Sequence, residues 1–204
     1  YHRDTDNFTC YRPILGDATS LCDTVVTVLC EDAADAIWVG TEKGLSRLDR
    51  KTGKFVTYRQ DPKNPRSLSS NSIRSIFADP QGGQLWVGTM AAGACVLDPK
   101  TDDFTIYQPD PRIPGSIGGK DVICFLRDTA GVLWVGTGGG LDRFVPETKT
   151  FIHHRHDPKE ANSISDDYFC ALYEDRAVRF WVCTPRGLNF MDRNRVIFTH
   201  IPTT

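Results

Sequence analysis

Residues 153–156 read His-His-Arg-His and hold three of the chain's five histidines. Imidazoles bind metal ions, and in an extended segment His154 and His156 share a face. A zinc site needs three or four ligands at suitable spacing, yet Asp157 opens an Asp-Pro turn instead. We therefore expect no metal site and no cofactor. Hydrolytic signatures are equally absent: no G-x-S-x-G, no H-E-x-x-H, and no H-x-E followed by C-x-x-C. Asp32, Asp79, Asp128 and Asp175 recur at one position of a repeat, which points to turn chemistry rather than to a unique catalytic acid. Binding without catalysis is the expectation.

Seven cysteines, Cys10, Cys22, Cys30, Cys95, Cys124, Cys170 and Cys183, form no C-x-x-C pair. They do not recur at equivalent repeat positions, so most are read as small buried apolar groups. The formal net charge of −2 gives no electrostatic case for nucleic acid. No apolar run is long enough for a membrane helix, so no membrane insertion is expected in this segment. No signal peptide opens the chain at Tyr1, which leaves the compartment open because a mature segment would lack one.

The elements that position these groups are written four times. IWVGT (37–41), LWVGT (85–89), LWVGT (133–137) and FWVCT (180–184) place tryptophans 48, 48 and 47 residues apart. Phe8, Phe55, Phe104, Phe151 and Phe198 keep step with them. Each unit reads as four strands. Strand A is alternating and apolar (NSIRSIF, DVICFL, DYFCALY). An Asp- and Gly-rich turn leads to strand B, the WVGT segment. Strand C is LSRLD or its equivalent, and strand D is F-x-x-Y. Four strands in about 47 residues make a β-propeller blade, which buries its faces only by stacking on neighbours. The tryptophan should fill the space between blades, and the glycine two residues later should leave room where sheets crowd near the axis.

We divide the chain into an outer strand and loop (1–23, with Phe8–Tyr11 as the strand) and blades at 24–70, 71–119, 120–166 and 167–204. An unmatched strand D suggests part of a larger ring of about seven blades. A closed four-blade ring and a homodimer through open blade ends are the alternatives.

The stretch DPKNPRSLSSNSIRSIFADPQGGQLWVGT (61–89) resembles the two-component regulator propeller repeat, as does TEKGLSRLDRKTGKFVTY (41–58). Departures are GACVLD (93–98), Cys183 in place of Gly, Asn189-Phe190, and His153-His154 where Ile-Tyr is usual. His154 thus stands where Tyr58 and Tyr107 do and is read as a packing substitution. The resemblance implies an extracytoplasmic (periplasmic or extracellular) sensor of a bacterial two-component regulator. Such arrays are commonly followed by a β-sandwich, a membrane helix and a kinase. It also implies an oligosaccharide or other small-molecule ligand. A protein-interaction scaffold, and less so a propeller lyase or hydrolase, are the alternatives.

Propeller ligands usually sit on loops at one channel mouth. The B–C loops offer Glu42, Lys43, Met90, Gly138, Gly139 and Arg186, and strand A adds Arg74 and Lys120. Loop cations are commonly solvated and nothing more, so Lys43 and Arg186 carry that plainer reading beside a ligand-donor role. Pairing Arg127 with Val132 across the A–B hairpin sets Ile123 opposite Gly136. The fourth-unit equivalents are Cys170 and Cys183, which would then be placed for a disulfide.

Overall fold

The computed structural model describes residues 3–192 and 196–201, and every regular element in them is a β-strand. The first blade holds β1 (Val26–Glu31), β2 (Ile37–Thr41), β3 (Gly44–Asp49) and β4 (Lys54–Tyr58). The second holds β5 (Ile73–Ala78), β6 (Leu85–Thr89), β7 (Ala94–Leu97) and β8 (Phe104–Tyr107). The third holds β9 (Val122–Arg127), β10 (Leu133–Thr137), β11 (Gly140–Val145) and β12 (Thr150–His154). The fourth holds β13 (Ala171–Glu174), β14 (Phe180–Thr184), β15 (Gly187–Asp192) and β16 (Ile197–His200). Each blade is an antiparallel sheet in sequence order. Strands β1, β5, β9 and β13 pack successively against one another and form the inner row.

Burial explains why WVGT is uniformly apolar rather than alternating. In the two middle blades the B strand is buried along its whole length, because a blade covers each of its faces. The tryptophan faces forward: Trp38 packs with Leu85 and Val87, Trp86 with Leu133 and Val135, and Trp134 with Phe180 and Val182. The following valine faces back, as Val39 does toward Leu21 and Phe55. The glycine allows the inner rows to meet. A Cβ on Gly88 would lie 2.6 Å from the Val122 carbonyl oxygen of the next blade. On Gly136 it would lie 2.6 Å from Cys124 Sγ and 3.2 Å from Phe169.

The repeated aspartates organise the A–B turns. Asp32 Oδ1 accepts from the Ala34 and Ala36 amides, Asp128 Oδ1 from Val132, and Asp175 Oδ1 from Ala177 and Arg179. The second carboxylate oxygen accepts the strand-B indole: Trp38 Nε1 to Asp32 at 2.7 Å, Trp134 to Asp128 at 2.9 Å, Trp181 to Asp175 at 3.0 Å. Each of the four turns places one residue in the left-handed region, at Asp35, Gly83, Gly131 and Val178. Only the last is β-branched.

Each D–A loop is tied to the following blade. The Phe104 amide donates to Arg66 O at 2.8 Å, Phe151 to Gly115 O and Phe198 to Asn162 O at 2.9 Å. Residues ahead of the first blade copy this pattern: Phe55 donates to Thr19 O at 2.8 Å, and the Tyr11 ring meets Phe55 at 5.4 Å. Tyr58 meets Phe104, and Tyr107 meets Phe151, in the same edge-on way. The expected outer strand is not formed, however. Phe8–Tyr11 carries no strand pairing among the described residues.

His154 takes the expected tyrosine position, opposite Leu141 as Tyr58 is opposite Leu45. Its ring lies 5.8 Å from Trp134, matching Tyr58 against Trp38. One cysteine expectation and the A–B register need correction. Only Cys95 is fully buried; Cys10 and Cys170 are exposed and the other four intermediate. The A–B register is also one residue from the predicted one. Asp128 and Val132 close the turn, so Arg127 pairs with Leu133 and Gly136 faces Cys124. Cys183 therefore pairs with Ala171 in the ladder, yet the Cys170 amide donates to the Cys183 carbonyl at 2.9 Å and the two thiols remain neighbours. Both thiols are free.

Candidate functional site

The B–C and D–A loops gather at one end of the inner row. At the centre, three blades contribute one side chain each. Arg74, on β5, places Nε 3.3 Å from Asp121 Oδ1 and donates through Nη2 to the Tyr168 hydroxyl at 3.1 Å. Tyr168 OH donates to Asp121 Oδ2 at 3.3 Å. Arg74 sits where the A strand is irregular, between the paired residues Ile73 and Ser75. Such a bulge re-aims one side chain out of the ladder. Asp121 and Tyr168 precede β9 and β13 at equivalent positions 47 residues apart.

The triad carries unspent capacity. Asp121 Oδ1 is sealed from solvent and accepts no hydrogen bond, because its approach to Arg74 Nε lacks bonding geometry. Tyr168 keeps 40% of its surface exposed, so a ring edge or face is open to contact. One guanidinium opposes one carboxylate, which makes the centre polar without a strong net charge.

The flanks differ from the middle. In the first blade Lys43 Nζ pairs with Asp23 Oδ1 at 3.1 Å; in the fourth, Arg186 Nε pairs with Asp166 Oδ2 at 3.2 Å. Both cations are about 70% exposed, in line with the solvated reading, although each is anchored. The equivalent loop positions in the middle blades are Ala91 and Gly139. Gly139 fits because a Cβ there would lie 2.3 Å from the Gly118 carbonyl oxygen. Small residues thus leave the centre open between two charged shoulders. Met90 and Gly138 line this rim, their amides donating to Ser72 O at 3.1 Å and Asp121 O at 2.9 Å. Lys120 is exposed, and its carbonyl accepts from the Gly93 amide at 2.8 Å. Glu42 is exposed on the first loop.

Sequence reading found Arg74 but missed its two partners. The signal was present: Asp121 and Tyr168 occupy one repeat position, and that position is Val25 and Ser72 in the other blades. Irregularity at a fixed repeat position marks a place the scaffold does not dictate.

Four stacked blades with loops converging at one end define a β-propeller module. A model of the two-component regulator propeller family matches residues 20–43, 67–91 and 116–139. The chain is 30% identical over 180 residues to histidine kinase P4 of Formosa agariphila, covering 87% of this chain and 13% of that protein. The extracellular domain of a hybrid two-component system from B. thetaiotaomicron superposes with a TM-score of 0.79. It is 22% identical and covers 95% of this chain, which spans 27% of that one. Virginiamycin B lyase from Staphylococcus aureus shares the fold at a TM-score of 0.62 and 16% identity, over 90% of this chain and 58% of its own.

Proposed function

We propose that this propeller is the ligand-sensing, extracytoplasmic part of a bacterial two-component regulator, and that it binds without catalysis. The observation that carries the reading is the Arg74–Asp121–Tyr168 triad, which joins three blades in one polar cluster. Arginine and tyrosine donors, a carboxylate acceptor and an exposed aromatic surface are the groups that recognise a polyhydroxylated ligand. An oligosaccharide is the ligand class they fit best. The extracytoplasmic placement and the kinase partner are supported by the relatives named above.

A ligand bridging the triad would contact the second, third and fourth blades together. It can bias the array only if it binds one blade arrangement more tightly than another. Signalling then follows from a change in blade stacking or in the association of two chains, passed to a downstream effector. The test is calorimetric titration of the chain with a panel of neutral and uronic-acid oligosaccharides, repeated with Tyr168→Phe. Saturable binding weakened in the variant supports the reading. Absence of binding across the panel, or identical binding by the variant, removes the oligosaccharide assignment.

A further inference from the structure

At the opposite end of the blades, the three seams are closed in different ways. The position at the end of strand A decides each. Between the second and third blades it is Arg127, which reaches back to Asp79 and the Gly131 carbonyl. Between the third and fourth it is Glu174, which accepts from the Thr129 amide at 2.7 Å and hydroxyl at 3.0 Å. Between the first and second it is Ala78, whose methyl spans nothing. A cleft of about 440 Å³ opens there, lined by Glu31, Asp32, Trp38, Ala78, Leu85 and Leu97 among others.

Asp32 in this cleft is the counterpart of Asp79 in the next seam. Asp79 is compensated by a guanidinium; Asp32 is in no ion pair among the described residues. Its oxygens accept only turn amides and the Trp38 indole. Glu31, at the rim, pairs with exposed Arg50 at 2.6 Å. The walls of Ala78, Leu85 and Leu97 suit an alkyl stem, which long cationic side chains lay along apolar surface.

The geometry points to this cleft as a second binding site, separate from the loop face, for the arginine side chain of a peptide. The guanidinium would stand beside Asp32 as Arg127 stands beside Asp79, with its stem along Leu85 and Leu97. Trp38 reports on the site through its indole N–H, which donates to Asp32, rather than by stacking, since its ring is buried and already covered by Arg47 at 5.6 Å.

The test titrates the chain with N-acetyl-arginine methylamide and with the citrulline analogue, which has the same shape without the charge. NMR follows the tryptophan indole N–H signals. We expect arginine to bind at least about tenfold more tightly than citrulline, given the strength of charge-assisted hydrogen bonds. The Trp38 indole should respond and Trp181 should not. Ala78→Arg, which supplies the missing guanidinium from within, should abolish binding while the fold persists by circular dichroism. Equal affinity for the two probes, no binding of either, or undiminished binding by folded Ala78→Arg would each overturn the assignment. The probe comparison uses the unaltered chain, so it decides even if the variant fails to fold.

Discussion

Arg127 of the third blade clasps Asp79 of the second, and in that same blade Trp86 Nε1 has no hydrogen-bond acceptor. In the other three blades the strand-B indole donates to the turn aspartate; Trp86 Nε1 is buried without a partner. The ring is held instead by stacking on Tyr107, with centroids 5.6 Å apart, and by the edge-on contact of Phe144 at 4.9 Å. Burial alone would raise the Asp79 carboxyl, but Arg127 and the turn amides outweigh it and hold the carboxyl below its usual range. Arg127→Met should destabilise the array by about 3 kcal/mol, because it strands a buried carboxylate. Urea denaturation checks this, and the Trp86 indole N–H signal should move toward that of a bonded indole.

The glycine of WVGT is required only where another blade follows. Gly88→Ala drives a methyl into the Val122 carbonyl and should cost about 1–3 kcal/mol. Cys183 stands at the same position in the fourth blade, where Trp181, Tyr173 and Leu188 line an open apolar face. Cys183→Gly should therefore change the unfolding free energy by no more than about 1 kcal/mol, the usual cost of a glycine within a strand. A large effect at Cys183 would show that this face is covered in solution.

His153 sits between two acceptors. Its Nδ1 is 2.6 Å from Asp142 Oδ1, and its Nε2 is 2.9 Å from the Pro114 carbonyl oxygen. Satisfying both requires two N–H groups, so the imidazolium is the form that fits. The Asp142 bond raises its pKa above 6.5, against the opposing effects of partial burial and of Arg155. The contribution to stability is then full below 6.5 and is lost as pH climbs through the folded value. The melting temperature should fall by about 2–4 °C from about pH 5.5 to about pH 8.5, if the pair contributes about 1 kcal/mol. Asp142→Asn, which copies Asn189 of the fourth blade, should flatten that slope.

Val178 occupies the turn position that Gly131 fills in the third blade, with φ of 62°. A β-branched residue is strained there, at a cost of about 1–3 kcal/mol. Val178→Gly should raise the unfolding midpoint in spite of glycine's greater freedom in the unfolded chain. A lower midpoint would mean that the valine's contacts outweigh its backbone strain.

Legibility in the sequence followed the period. Trp38, Trp86 and Trp134 announced the blades because one packing problem recurs at each seam, and repetition makes its solution visible. The turn role of Asp32 and Asp128 was legible for the same reason. Asp121 and Tyr168, the partners of Arg74, were not, since the three belong to three blades and meet only when the sheets stack. The A–B register was missed by a single residue, although Cys170 and Cys183 still lie side by side. Whether Val132 pairs inside the turn or beyond it is set by backbone hydrogen bonds that side-chain types do not encode.

The three unlike seams have a consequence for how such a gene can grow. Tandem duplication copies a blade intact, but it creates a junction that no ancestor tested. Repeating the second blade would set one Ala78 beside another Asp79 with no Arg127 to meet it, leaving a buried carboxylate and an open crevice. A duplicated or reordered blade is therefore expected to lose stability at its new junction, although the repeats themselves look interchangeable.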